Sequence, residues 1–215
     1  MKLGVFDSGI GGEAVAQDLA LFFPDARLIV ANDSANVPYG SKTPSQVISL
    51  TERAIQPLIK SGCDVIVIAC NTATALAISH LRSRYPLQKF VGIEPMVKTA
   101  ALATKTGVIA VCATPATLAS NRYEQLKSLY ASHLLVVEPD CSNWANLIEH
   151  NAMNSQKIAH ILDEVLDESA DVIVLGCTHY HWIRELIQAY VGDSIKVIEP
   201  TEALARQIRS LVTNR

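Results

Sequence analysis

Short apolar runs alternate with longer amphipathic segments along the whole chain. Residues 2–6 (KLGVF), 26–33 (ARLIVAND), 64–70 (DVIVIAC) and 90–95 (FVGIEP) are short and rich in β-branched residues, and they read as strands. The same reading holds for 107–114 (GVIAVCAT), 133–139 (HLLVVEP), 171–177 (DVIVLGC) and 196–200 (KVIEP). Between them, 11–23, 43–62, the stretch after Cys70, 115–130, 142–168, the stretch after Cys177 and 201–215 show helical character. Thr43 followed by Pro44 marks a helix start: Thr supplies the cap, and Pro fits a first position whose N–H needs no partner. The 64–70 run is apolar at nearly every position, as expected of a strand covered on both faces. Strictly alternating strands and helices predict a parallel, doubly wound α/β fold.

The pattern then restarts. Gly4-Val5 recurs as Gly107-Val108, Asp64 as Asp171, Cys70 as Cys177, and Ile93-Glu94-Pro95 as Ile198-Glu199-Pro200, at separations of 103 to 107 residues. Two copies of one α/β unit account for this. The expected architecture is two pseudo-symmetric parallel-sheet lobes, 1–98 and 99–199, with the active site in the cleft between them. The helix over 200–215 is free to join the first lobe.

Composition narrows the function. The chain of 215 residues is 49% hydrophobic and 18% charged, an ordinary globular balance. Net charge is −3 without a Lys/Arg cluster, which argues against nucleic acid or an anionic membrane as partner. No apolar run approaches the roughly 20 residues of a membrane helix. The N-terminus turns polar and Gly-rich after one short run, unlike a signal peptide. Five cysteines without a CxxC pair suggest a reduced, cytoplasmic chain.

The two repeated cysteines carry the chemistry. In open parallel sheets, ligands bind beyond the carboxyl ends of the strands. Cys70 and Cys177 close the predicted strands there, each before a predicted helix whose N-terminus favours thiolate. One such Cys is ordinary core filler. Two matched ones, followed by Asn71-Thr72 and Thr178-His179, are not, because a core strand has no reason to end twice in polar clusters. If the lobes face each other, the sulfurs flank one small substrate. One then takes a proton from one face of a carbon while the other delivers a proton to the opposite face, which is racemisation.

Other strand ends add candidates. In FDSGIGG (6–12), Asp7 and Ser8 are placed to reach the cleft. Asp7 would hold a substrate ammonium or assist proton transfer; the alternative is a plain tight turn, and GIGG is neither GxGxxG nor a GK[ST] loop. Tyr39 and Gly40, in a Pro-Tyr-Gly loop after the second strand, would lie on the same rim, available to bind; the alternative is again a plain turn. CTHYH (177–181) matches no familiar zinc spacing and has no counterpart ligands in the first repeat, so no metal is expected. His179 reads as a hydrogen-bond partner or proton shuttle for Cys177, and His181 as a surface residue.

Taken in order, GVFDSGIGG, DSANVPYG, ACNTATA, GIEPMVKTA, ATPATLAS and LGCTHY resemble the signature segments of the glutamate racemases over roughly 1–190. The resemblance implies a cofactor-independent isomerase of two α/β lobes that supplies D-glutamate for peptidoglycan, acts as a homodimer and needs no cofactor. It implies that Cys70 and Cys177 are the catalytic bases, with Asp7 and His179 beside them. It places Asp7, Ser8, Tyr39, Gly40, Asn71, Thr72, Thr178 and His179 at substrate-binding positions, Thr114 and Thr117 near the substrate carboxylate, and Glu149 as an acid near the second half-site. The family usually carries a further C-terminal stretch. His181 stands where Pro is usual, Glu13 where an apolar residue is usual, and Glu199-Pro200 where Asp-Ser is frequent. The rival readings are a racemase for aspartate or hydantoins, a one-cysteine decarboxylase, and a ligand-binding relative without turnover. The second cysteine argues against the decarboxylase.

Overall fold

The structure, a computed structural model, describes residues 1–213. It contains two four-stranded, all-parallel sheets. The first is built from β1 (Lys2–Asp7), β2 (Arg27–Asn32), β3 (Val65–Ile68) and β4 (Lys89–Gly92) in the order β2-β1-β3-β4. The second is built from β5 (Val108–Ala113), β6 (Leu135–Val137), β7 (Val172–Gly176) and β8 (Lys196–Ile198) in the order β6-β5-β7-β8. The helices are α1 (Gly11–Phe22), α2 (Pro44–Ala54), α3 (Gln56–Lys60), α4 (Asn71–Arg84), α5 (Val97–Ala103), α6 (Pro115–Leu118), α7 (Asn121–Tyr130), α8 (Trp144–Glu149), α9 (Ser155–Asp167), α10 (Arg184–Val191) and α11 (Thr201–Thr213). Of the helix read over 200–215, positions 214 and 215 lie outside the described residues. The chain forms two compact units, Met1–Glu94 with the segment from Pro200 onward, and Pro95–Glu199.

In the first unit, β3 is Val-Ile-Val-Ile, buried at every position. Its alternating side chains feed two cores. Ile66 and Ile68 join Phe6, Leu58 and Leu81 on one face. Val65 and Val67 join Leu3, Val5, Val15 and Leu19 on the other. That second face is completed by Leu204 and Ile208 of α11, and Thr201 pins this helix by donating to Asp18 of α1 at 3.0 Å. In the second unit, Ile109, Val111, Val172 and Val174 pack under Tyr123 and Leu126 of α7. Burying a side chain of this size contributes about 1.5–3 kcal/mol, so each doubly covered strand anchors its sheet.

The sheet registers sort the repeated landmarks. Leu3 lies opposite Val65, and Ile109 opposite Val172. Asp64/Asp171 and Cys70/Cys177 are therefore true counterparts. Asp64 accepts from the Lys2 N–H at 2.8 Å, and Asp171 accepts from the Lys105 N–H at 2.6 Å and the Thr104 hydroxyl. In both units the repeated Asp tethers the chain around the start of the neighbouring strand. The Gly-Val echo does not match the register: Gly4 aligns with Ala110, while Gly107 is a loop residue at φ 80°. The Ile-Glu-Pro echo is likewise displaced by two positions, because Lys89 pairs with Val65 and Lys196 with Val172.

Three expected helices are divided. The 43–62 segment starts at Thr43, whose hydroxyl accepts the Gln46 N–H while the Gln46 side chain returns to the Thr43 N–H at 3.0 Å. It then breaks before Pro57, which has no N–H to continue the ladder. The 142–168 segment breaks at 150–154, where Asn151 adopts φ 51° and Asn154 caps α9. The 115–130 segment breaks at Ser120, the cap of α7.

Candidate active site

In the first sheet the chain runs from β1 outward to β2, then crosses back to β3 on the other side of β1. Such a reversal opens a crevice at the carboxyl ends of the two central strands. Asp7 and Ser8 leave β1 there, and Cys70 follows β3. The Ala69 N–H donates to the Phe6 carbonyl at 2.7 Å, keeping the two chains paired to this point. Ser8 Oγ then donates to Cys70 Sγ at 3.3 Å. Cys70 is the cap of α4, and its sulfur also accepts the Ala73 N–H at 3.4 Å. Asp7 is fully buried and accepts the Gly9 N–H at 3.0 Å. α1 approaches so closely that a Cβ at Gly12 would sit 2.6 Å from the Asp7 Cβ. Tyr39, 1% exposed, packs on Phe6 and donates its hydroxyl to Asp33 at 2.8 Å. Asn71 and Thr72 are each 3% exposed. Among the described residues, the Asn71 amide finds no hydrogen-bond partner for either Nδ2 or Oδ1.

The expected helix N-terminus is present at Cys70 and its Ala73 N–H favours thiolate, but other groups outweigh it. Burial first, and the Asp7 carboxylate second, push its thiol up to about 12. The Ser8 and Ala73 donors oppose this without overcoming it. Cys70 rests as a thiol because desolvation and the Asp7 charge outweigh the hydrogen bonds to its sulfur.

In the second sheet, Thr114 follows β5 as Ser8 follows β1, and Cys177 follows β7 as Cys70 follows β3. The local structure differs. Cys177 leads into a 3₁₀ turn, Thr178–Ile183, rather than an α-helix, and α10 begins only at Arg184. The expected helix N-terminus at Cys177 is therefore absent. A histidine stands in its place: Cys177 Sγ lies 3.7 Å from His179 Nδ1, and His179 Nε2 lies 2.6 Å from Glu149 Oε1 at the end of α8. With Nε2–H donating to Glu149, Nδ1 is left as an acceptor facing the Cys177 thiol. Thr114 and Thr117 share a 3.0 Å hydroxyl contact, and the Thr117 N–H donates to Thr114. Thr178 is buried.

The site residues predicted from sequence thus fall into two clusters. Asp7, Ser8, Asn71 and Thr72 gather around Cys70, with Tyr39 in the same core and Gly40 beside it on the loop. Glu149, Thr178 and His179 gather around Cys177, with Thr114 and Thr117 at the neighbouring strand end. His181 is not a surface residue. Its side chain is 5% exposed and Nδ1 lies 3.8 Å from Glu199, which also meets Arg184 at 3.1 Å. The CTHYH run therefore does not converge on one point. Sequence reading overlooked Asp33, whose carboxylate takes both the Tyr39 hydroxyl and the Asn36 amide. Its signal was the Asp-x-x-Asn spacing, which a short 3₁₀ turn closed by the Asn36 N–H on the Asp33 carbonyl at 2.9 Å brings together.

Residues 13–208 match the family described as Asp/Glu/Hydantoin racemase. The chain belongs to that family. Within it, the chain is 38% identical to the glutamate racemase of Herpetosiphon aurantiacus over 214 residues, covering 98% of this chain and 84% of that one. The structure resembles Escherichia coli glutamate racemase in complex with L-glutamate and the activator UDP-MurNAc-ala. That likeness has a TM-score of 0.89 at 25% identity, covering 100% of this chain and 83% of the other. It also resembles Francisella tularensis glutamate racemase in complex with D-glutamate, with a TM-score of 0.83 at 28% identity, covering 99% and 81%. Among the described residues no helix is long and apolar enough to cross a membrane.

Proposed function

We propose that this racemase-family chain interconverts L- and D-glutamate without a cofactor, with Cys70 and Cys177 acting from opposite faces of one α-carbon. The observation that carries this reading is the register equivalence of the two cysteines, each beyond a central strand and each beside its own polar partners. In one direction the Cys177 thiolate, formed by proton transfer to His179 Nδ1, takes the α-proton. The bonding pair stays on the substrate as an enediolate. The Cys70 thiol then donates its proton to the opposite face. The reverse reaction exchanges these roles, with Asp7 holding the substrate ammonium beside Cys70.

The difficulty is the acidity of the carbon, far below that of a thiol with an ordinary pKa near 8.5. Help comes from groups that water cannot easily satisfy. The Asn71 amide is buried with neither polar atom partnered, and an amide left so costs about 1–3 kcal/mol. A substrate carboxylate or ammonium relieves that cost, and the N–H groups opening α4 favour negative charge at the same place. Supply of D-glutamate to peptidoglycan, a homodimeric state and a cytoplasmic location belong to this proposal through the resemblance alone.

The test is α-proton exchange in D₂O, with each glutamate enantiomer followed by NMR and optical rotation. Deuterium incorporation with loss of rotation from both enantiomers is expected. Cys70→Ser and Cys177→Ser should each reduce racemisation by about 100- to 10,000-fold, the usual size of an acid–base contribution. Turnover of aspartate but not glutamate would preserve the mechanism and change the substrate. A serine variant with normal rates in both directions would remove that cysteine from the mechanism.

A further inference from the structure

The two half-sites hold their cysteines by different means. Cys70 is fixed by the first turn of a fourteen-residue helix and by Ser8. Cys177 opens a six-residue 3₁₀ turn, whose hydrogen bonds have poorer geometry and which rarely persists without support. Something outside the turn must fix it if His179 is to face both Cys177 and Glu149.

That support is Tyr180. It is 0% exposed, and its hydroxyl donates to the Cys141 carbonyl at 2.9 Å. Its ring meets Trp144 edge-on, with centroids 5.2 Å apart and planes at 72°. Cys141 lies just before α8, Trp144 is the first residue of that helix and Glu149 the last. The 3₁₀ turn therefore grips α8 at two ends: Tyr180 holds its beginning, and His179 meets its end through the 2.6 Å Glu149 contact. Six residues of helix span about 9 Å, so a small tilt at the Tyr180 end is carried to Glu149. Tyr180 itself has no role in proton transfer. Burial, the first cause, and the neighbouring thiols hold its phenol well above the ordinary range, so it stays a neutral donor.

We propose that Tyr180 is a positioning residue that keeps the Glu149–His179 pair aligned on Cys177, an inference that rests on the racemase reading. Tyr180→Phe keeps the ring and removes only the hydrogen bond. Its expected effect is a fall in kcat of about three- to tenfold with KM little changed, because alignment is lost while substrate contacts remain. The primary deuterium isotope effect should rise only for the enantiomer whose proton Cys177 removes. A merely structural weakening would affect both directions alike.

A second readout needs no turnover. Iodoacetamide labelling, mapped by peptide mass spectrometry, should be faster at Cys177 in Tyr180→Phe and unchanged at Cys70 and Cys63. If the variant exposes all thiols together it has lost its fold. Trp144→Phe then decides, because it weakens the ring contact and keeps the hydroxyl bond, and the same selective labelling is expected. Wild-type isotope effects in both directions, with unchanged Cys177 labelling, would overturn the assignment. An inactive wild-type protein would instead count against the racemase reading, and the labelling result would still judge Tyr180.

Discussion

At the scale of residues, the matched pair of cysteines at equivalent strand ends was legible, and the ionisation of Cys70 was not. Two matched cysteines with polar successors stand out in the sequence because a core strand needs neither. The upward push on Cys70 depends on burial and on Asp7, sixty-three residues away, and no local pattern reports it. It has a signed consequence. Cys70 should alkylate slowly at pH 8, and the rate should keep climbing with pH without a plateau below about 10, since only the thiolate reacts. Asp7→Asn removes the neighbouring negative charge and should speed Cys70 labelling at pH 8 by about three- to tenfold, a shift of up to one unit. On the proposed mechanism it should nevertheless slow racemisation, because the carboxylate assigned to the substrate ammonium is gone. Peptide-resolved labelling measures the first effect and exchange in D₂O the second. Labelling that slows in Asp7→Asn would contradict the electrostatic account.

At the scale of elements, strands were easier to read than helix ends. The eight apolar runs all became strands: the central ones are buried along nearly their whole length, while β2 and β6 lie at sheet edges and stay partly exposed. The division of 43–62 went unread, although Pro57 forbids a continuous ladder. Helix α5 spans only seven residues, too few for a helical period to emerge. The 3₁₀ turn after Cys177 has no periodic signature, and its shape comes from Tyr180, His179 and α8. Glycines mark a different constraint. Gly12 has an ordinary backbone conformation and is needed for space, because a Cβ there would lie 2.6 Å from the Asp7 Cβ. Gly12→Ala should cost about 1–3 kcal/mol, as overpacking does. By moving Asp7 it should also impair exchange more than the loss of stability explains. Urea denaturation alongside the exchange assay separates the two, and a variant matching wild type in both would show that α1 yields without cost.

At the scale of the whole molecule, charge and burial together set the pH range over which the fold holds. Glu52, Asp140 and Asp171 are held below their ordinary values, Glu52 chiefly by His80 and Tyr85, and Asp140 chiefly by Ser142. For Asp171, burial opposes the shift, and bonds from Thr104, Lys105 and Thr106 overcome it. A lowered carboxyl contributes stability above its unfolded value, and that stability is lost as pH falls through its folded value. All three lie near the surface, so the acid limb should be shallow. On the alkaline side, Cys63, Cys70 and Cys141 are raised by burial above 9.0, and the phenols of Tyr39, Tyr123 and Tyr180 above 10.0. These groups are neutral when folded and ionise more readily when unfolded, so their contribution is complete below the unfolded values and declines as pH rises above them. Most of them are deeply buried, so the alkaline limb should be the steeper one. Urea midpoints between pH 3 and 11 would show this asymmetry as a plateau with a gentle acid shoulder and a sharp fall above about pH 9. Tyr123→Phe removes one such phenol and leaves its partner Glu138 bonded to Lys127 at 2.9 Å. It should soften the alkaline fall while leaving the acid shoulder in place. An alkaline limb no steeper than the acid one would mean that water reaches these thiols and phenols more freely than their burial allows.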